Sequence, residues 1–500
     1  MPTKDLIGMA LAVMGIAGGV IAACVSKRVR DVFFFGMIFL APMTEDWDVN
    51  FVSRDFYRGT TRGFEFSLVD ILSISLLFSA LLVPRRGQSR GFWPASFGLM
   101  ILMFLYACFN VAIADPKLFG LFELMKMVRG ITIFLAVAFF VRDERGLRLF
   151  LCALCLVVAY EGYLALKQRY LWGMHRVPGT VDDSNSLSVF FCMTAPVCVA
   201  VLTSNLPKYL KALAAVAIPL ATVGMILTIS RAGVVILGIV LLGATLATMS
   251  WKFTARKVAI TMVVLIGVAG VTAKSWKTLQ ARFASSSLDD EYGKKKNMGR
   301  GYYIKVAKAI AEDRTFGVGL NNWSYWVSQK YGPKLGYRFV PYKGTDKEPS
   351  TIVPENSNVD AAQAAPAHCL LALMLGELGY PGLILFVLLW LRWFQIGISF
   401  LFSQTPDPMR RIGVGIFFAM CGIFLQSLTE WVFRQSPIYY VFHILLGVLV
   451  SLYYIKKQAK RALKSGMEVP EEAAAELAYE PEPQPVHVRT GANLSTALTA

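Results

Sequence analysis

The feature that most restricts this chain is a succession of long apolar runs separated by short polar connections. Runs such as Leu6–Val25, Leu118–Val141 and Cys369–Leu391 hold about the 20 residues that an α-helix needs to cross hydrocarbon. In lipid each backbone N–H and C=O must be satisfied within its own segment, so repeated runs of this length mean helices. Composition agrees: apolar residues make up 55% of the 500, charged residues 17%, and the mean hydropathy is +0.52. These figures exclude a string of soluble domains and a fibrous, disordered or disulfide-stapled chain. The expected class is an all-α polytopic membrane protein. One membrane domain covers residues 1–455, and a basic, then acidic and Pro-rich tail covers 456–500. That tail is expected to be disordered.

Candidate spans are Leu6–Val25, Val32–Met43, Leu68–Val83, Pro94–Ala114, Leu118–Val141, Leu149–Leu166, Leu187–Leu202, Ala212–Ile229, Ala232–Met249, Val258–Ala273, Cys369–Leu391, Ile412–Leu428 and Ile438–Tyr453. Val32–Met43 is short for a span, so 12 or 13 transmembrane helices are expected. No basic region followed by a cleavage site precedes the first run, which is expected to be retained.

The net charge of +17 would suggest nucleic acid in a soluble protein, but here the lysines and arginines lie between apolar runs and read as topology. Connections at Lys27–Arg30, Arg85–Arg90, Arg142–Arg148, Lys208–Lys211, Lys252–Lys257, Arg392–Arg411 and Lys456–Lys464 form one set. Arg54–Arg62, Lys117, Lys167–Arg176, Arg231 and Arg434 form the other. The first carries more than twice the basic residues of the second, which makes it cytoplasmic, and the two sets alternate along the chain. The long segment 274–366 falls on the extracytoplasmic side. Within it Tyr302, Tyr303, Val306, Ala307 and Ile310 have helical spacing, which suggests a short amphipathic helix lying on the outer membrane surface.

Charged residues at membrane depth mark either function or a structural ion network. Glu123, Lys126 and Arg129 share one helical face, and Asp70 and Glu161 lie in other spans. Cys152 and Cys155 have CxxC spacing without a second pair and read as core packing. Adjacent acids at Asp182-Asp183 and Asp289-Asp290-Glu291 give only a weak metal signal, so no metal and no cofactor is called for. Gly317-Val318-Gly319 lacks a preceding strand and is no phosphate loop.

Four positions on the outer side carry chemistry. Arg231 sits in Thr228-Ile229-Ser230-Arg231-Ala232-Gly233, between two apolar runs with almost no loop. Its planar fork suits phosphate oxygens, whether of a substrate or of lipid headgroups. Arg176 opens the turn Arg176-Val177-Pro178-Gly179-Thr180, and Asn185 stands where it could cap the next helix. Arg300 starts the amphipathic helix, and His368 lies at the mouth of a helix that continues through Glu377-Leu378-Gly379-Tyr380-Pro381-Gly382. Several cations and one titratable base at one membrane face suit a lipid-borne diphosphate: the cations hold the leaving pyrophosphate, and the imidazole takes a proton from an attacking hydroxyl.

At these residues the chain resembles the O-antigen ligase and polymerase superfamily of bacterial envelope glycan enzymes. Arg176 through Gly179 followed by Asn185 resembles its R-x-x-G…N motif, and Thr228–Gly233 its T-x-S-R-G motif with Ala232 in place of Gly. Gly299-Arg300 followed by Asp313–Leu320 is similar to its G-R…D-x-P-x-G-x-G segment, with Thr315 in place of Pro. Ala367-His368 through Gly382 is similar to its A-H-N…E-x-G-x-x-G helix, with Cys369 after the histidine. The N-terminal half also looks like the branch of O-glycosylation ligases found near exosortase systems.

The resemblance implies a class C glycosyltransferase-like fold. It also implies inverting, metal-independent transfer of a glycan from undecaprenyl diphosphate to a hydroxyl at the periplasmic face of the inner membrane. It would make Arg231, Arg300 and Arg176 the diphosphate-binding residues and His368 the catalytic one, with Ser230, Asn185 and Glu377 in support. Partners would be the lipid-linked glycan donor, a hydroxyl on lipid A core, glycan or protein, and the bilayer, with no nucleic acid. A ligase, a polymerase and a protein O-oligosaccharyltransferase share this donor half. A transporter or flippase is the competing class, which the charges around Lys126 keep open, and a scaffold for an envelope complex is a third.

Overall fold

The computed structural model describes residues 3–43, 48–54, 57–83, 92–181, 183–249, 273, 276–277, 280, 300–336, 338–339, 359–360, 364–402, 407–433 and 435–465. The protein is an all-α polytopic membrane protein. Its helices are α1 (Thr3–Val25), α2 (Lys27–Leu40), α3 (Leu68–Leu82), α4 (Phe97–Ile113), α5 (Lys117–Phe140), α6 (Glu144–Tyr170), α7 (Ser184–Thr203), α8 (Lys208–Thr228), α9 (Arg231–Thr248), α10 (Arg300–Asp313), α11 (Leu370–Leu401), α12 (Met409–Ser427) and α13 (Ser436–Ser465), with short helical turns over 323–334.

Among the described residues eight helices are long and apolar enough to cross a membrane: α1, α6 to α9 and α11 to α13. α3 and α4 are shorter apolar helices, and α5 has the length but carries Glu123, Lys126 and Arg129. Of the expected span 258–273 only residue 273 is described, and of the expected tail 456–500 residues 456–465 continue α13 as helix, while the rest lies outside the described residues.

Burial ranks the helices. α7 and the spanning part of α13 have 83% of their apolar windows buried, against 6% for α1, so the first two form the centre and α1 the lipid-facing edge. Small residues let the helices approach closely: Gly415 and Gly422 of α12 sit against the backbone of α7 at Pro196–Val197 and Cys192. Cys155 of α6 is buried with its sulfur 3.9 Å from that of Cys198 on α7.

A hairpin not foreseen in the sequence joins α2 to α3. β1 (Asp48–Phe51) and β2 (Phe64–Ser67) pair antiparallel. The hairpin is fastened by Asn321, whose Oδ1 accepts from Thr60 N at 2.7 Å while Nδ2 donates to the carbonyls of Thr61 and Phe119 at 2.8 and 2.9 Å.

The amphipathic helix α10 departs from expectation. Val306, Ala307 and Ile310 are fully buried, and the helix packs on α11 instead of lying on lipid. Protein offers the same apolar face a closer-packed partner than a fluid bilayer does. Its end is pinned by Asp313, which pairs with Lys330 and accepts from Tyr331 Oη at 2.8 Å. Those two hydrogen bonds pull the Asp313 carboxyl down to about 2, while burial and the carboxylate push Tyr331 up to about 12. A carboxylate with a lowered value stabilises the fold above its ordinary range, so this clasp is lost only as pH falls toward 2.

α11 is broken at Gly379, which has φ +66° and ψ −168°, a conformation open to glycine. The break frees three carbonyls, and each finds a donor. Val318 N binds Gly376 O at 3.0 Å, Gly319 N binds Glu377 O at 2.9 Å, and Tyr106 Oη binds Leu378 O at 2.5 Å. A Cβ on residue 379 would stand 2.0 Å from the Thr315 carbonyl oxygen. Gly379→Ala is therefore expected to lower stability by at least about 1–3 kcal/mol, read as a drop in thermal midpoint in detergent. An unchanged midpoint would show that the break is not held by this loop.

Candidate active site

Two helix starts, one helix end and two corners bring distant residues to one end of the bundle. Arg176 lies in the turn between α6 and α7. Gly179, with φ +66°, lets that turn close on α6: Gln168 exchanges two 2.8 Å hydrogen bonds with the Gly179 backbone, and Glu161 accepts from Thr180 N at 3.1 Å. Glu161, fully buried, is thus spent on shaping the turn that carries Arg176. The Arg176 guanidinium donates to the Asn185 side chain at 2.8 Å and to the Thr228 carbonyl at 3.2 Å.

Asn185 does not cap α7. Asp183 is the cap, accepting from Asn185 N and Ser186 N at 2.9 and 3.0 Å. A carboxylate at this position satisfies two open N–H groups, which leaves the Asn185 amide to bridge Arg176 to Glu430, 3.3 Å from its nitrogen.

Glu430, just beyond α12, is the hub. Its Oε2 is 3.0 Å from His368 Nδ1, and its Oε1 is 3.6 Å from the Arg300 guanidinium as well as bound to Asn185. Arg300 also donates to the Thr429 carbonyl at 2.9 Å. The carboxylate is 13% exposed and His368 34%, so the acid is sheltered while the ring keeps an open side. Trp431 and Tyr303 flank the ring at 4.7 and 5.8 Å. Three of the predicted residues, Arg176, Arg300 and His368, are joined through Asn185 and Glu430.

Arg231 stands at the α8–α9 corner. Ile229 has φ +56°, an uncommon conformation for a β-branched residue, and Ser230 caps α9 by accepting from Gly233 N at 3.3 Å. Strain of this kind persists only where the surroundings hold it, and it turns the chain so that Arg231 opens α9. The corner joins the cluster through Thr228, whose carbonyl takes the hydrogen bond from Arg176. Ser230 thus acts as the helix cap beside Arg231.

Glu377 lies elsewhere. It is nine residues along the chain from His368, and its Oε1 accepts from Trp323 N at 3.2 Å, 2% exposed, beside the helix break. Its place is in the scaffold that seats 315–323 on α11, not beside the imidazole.

Comparison with known proteins bears on this arrangement. The family model of O-antigen ligase matches residues 214–387. The chain carries an O-antigen ligase domain. The match supports a membrane glycan enzyme of ligase or polymerase type. No curated protein matches the chain. The matched stretch of the ligase domain includes Arg231, Arg300 and His368, but Arg176, Asn185 and Glu430 lie outside it. The fold therefore completes the site with residues from before and after the domain. Glu430 was missed in the sequence, although it is the one acid of the connection 428–435.

The charged residues of α5 are taken up in structure. Arg129 is held by Asp70 and Glu65, Glu123 accepts from Thr60 at 3.0 Å, and Lys126 lies 5.6 Å from the centre of the Tyr439 ring. This pairing supports the structural ion network over a transport path.

Proposed function

We propose that the protein transfers a glycan from undecaprenyl diphosphate to an acceptor hydroxyl at the periplasmic face of the bacterial inner membrane, with its C-terminal tail in the cytoplasm. The observation that carries this reading is the convergence of His368, Arg300 and, through Asn185, Arg176 on Glu430. With Nδ1–H directed at Glu430, the ring presents Nε2 as the acceptor of a proton. The acceptor oxygen attacks the anomeric carbon opposite the diphosphate, and its proton passes to His368 Nε2. The bond from the anomeric carbon to the diphosphate oxygen breaks with its electrons on that oxygen, which inverts the configuration. Glu430 stabilises the imidazolium that forms, as an acid does behind a catalytic histidine elsewhere. Arg300, Arg176 and Arg231 neutralise the departing diphosphate. Flanking aromatic rings give a sugar face something to lie against.

The test is reconstitution of the purified chain with undecaprenyl-diphosphate glycan and a hydroxyl acceptor, without nucleotide. Formation of glycosylated acceptor together with free undecaprenyl diphosphate is expected; its absence with a folded protein overturns the reading. Alanine at Arg231 or Arg300 is expected to lower transfer by on the order of 10²-fold. Arg231→Lys and Arg300→Lys keep the charge, lose the planar fork and should remain impaired. Full activity in the lysine variants would count against two-pronged phosphate binding.

A further inference from the structure

Toward the cluster the contact between α7 and α12 turns polar. Asn185, Ser188 and Cys192 follow one another on α7 at spacings of three and four residues, so they share a face. Glu430 meets the first of them. Gln426, 1% exposed, meets the other two, donating from Nε2 to Ser188 Oγ at 3.1 Å and to Cys192 Sγ at 3.5 Å. The Cys192 thiol in turn donates to the Gly233 carbonyl at 3.6 Å, in the first turn of the helix that Arg231 opens. Gly233 comes this close because it has no side chain: a Cβ there would stand 1.9 Å from Ser188 Oγ. The backbone of Gln426 holds the other end. Its carbonyl accepts from Thr429 N at 3.0 Å and from Glu430 N at 2.8 Å, so the turn that carries the carboxylate hangs from this residue. Thr429 also supplies the carbonyl that Arg300 binds.

A buried amide must have its donors satisfied, whereas a leucine of similar size would fill the same space without that demand. The polar contacts do what packing alone does not: they fix the amide, and with it the turn at 429–430, in one register on α7. We infer that Gln426 is a positioning residue, a strut that holds the Glu430 carboxylate, and the imidazole bound to it, at a set distance from the arginine corner at the start of α9. It touches neither donor nor acceptor. This rests on the transfer reading above. Proton removal at His368 and neutralisation of the diphosphate at Arg231 must act on one substrate together, and a misplacement of about 1 Å between such groups can cost on the order of 10²-fold.

The experiment compares Gln426→Leu with Ile416→Ala, which opens a cavity at a fully buried residue of the same helix, ten residues earlier. In the full-length protein in detergent, Gln426→Leu should lower the maximal rate of transfer by on the order of 10-fold while the donor KM moves little. Ile416→Ala should lower the thermal midpoint and leave the rate per folded molecule unaltered. Added to Glu430→Gln, Gln426→Leu should cost little more, because the strut acts through that carboxylate. The ¹⁵N shifts of the His368 ring give a readout that needs no substrate. The unaltered protein should show one tautomer, with the proton on Nδ1; Gln426→Leu should mix the two tautomers, and Ile416→Ala should not. An unchanged rate in folded Gln426→Leu, unaltered ring signals, or a loss of rate matched by Ile416→Ala would each overturn the assignment. Should Gln426→Leu fail to fold, Ser188→Ala, which removes the hydroxyl that the amide binds, is read by the same measurements. Mixed tautomers in Gln426→Leu of a chain whose unaltered form transfers nothing sink the enzyme and spare the strut; full transfer by Gln426→Leu does the reverse.

Discussion

Replacing His368 by alanine is expected to lower glycan transfer by roughly 10²–10⁴-fold, the range that a positioned proton acceptor contributes. Donor binding should persist in that variant, because the arginines remain. The geometry makes a sharper demand on Glu430. Its Oε2 holds His368 Nδ1 at 3.0 Å and its Oε1 faces Arg300 and Asn185, so one side chain sets the tautomer of the ring and the place of two other groups. Glu430→Gln keeps the shape but puts an amide where the carboxylate was, and it can hold the ring in the wrong tautomer. It should lower the maximal rate more than it raises the donor KM. Glu430→Ala leaves Arg300 and Asn185 without their shared acceptor, so both constants should suffer. The variants acting as one unit have losses that do not add: His368→Ala/Glu430→Gln should be little worse than His368→Ala alone. A multiplicative loss in the double variant would show that Glu430 acts on something other than the histidine.

Much of this was legible in the chain because the physics is local. A run of 20 apolar residues states a helix by itself, and described helices lie at every expected span except the one outside the described residues. Residues at the ends of such runs can be assigned a side from the alternating basic connections, which is how Arg176, Arg300 and His368 come to be read as one group in the sequence; the structure has the three joined through Asn185 and Glu430. What the sequence hid are relations between distant backbones. Asp183 and Asn185 are both good helix caps, and only the structure shows that Asp183 takes the cap and frees Asn185 for Arg176. The α10 helix has the face of an interfacial helix, and whether it meets lipid or α11 depends on the partner, not on its own pattern. Glu377 looked like part of the active helix because the motif that holds His368 continues through it. The Gly379 break, invisible as periodicity, turns it into an anchor for the loop at Trp323. Glu430 sat in a short connection where a single acid carried no pattern at all.

The largest effect on stability is expected at Asp70. Arg129 and Asp70 are 4% and 2% exposed and form three contacts of 2.9–3.1 Å, with Glu65 3.2 Å from the same guanidinium. Ser67 donates twice to Asp70, at 2.7 and 2.8 Å, Ser436 donates to Glu65 at 2.6 Å, and the Tyr440 ring lies 5.0 Å from the guanidinium. The network therefore ties β2 and α3 to α5 and α13, one of the two central helices. Within the membrane region an ion without its partner has no water to turn to, and breaking a buried pair by removing one member costs about 3–5 kcal/mol. Asp70→Ala should unfold the detergent-solubilised protein at markedly lower temperature. Asp70→Ala/Arg129→Leu, which removes both charges of the closer pair and leaves Glu65 to its hydrogen bond from Ser436, should recover part of that loss, since an apolar replacement of a buried pair is often close to neutral. The double variant also separates structure from chemistry. If the α5 charges only hold helices together, glycan transfer per folded molecule should match the unaltered protein. A double variant that folds well but no longer transfers would instead place Arg129 on a path that the substrate uses, and would restore the reading in which these charges touch what the protein moves.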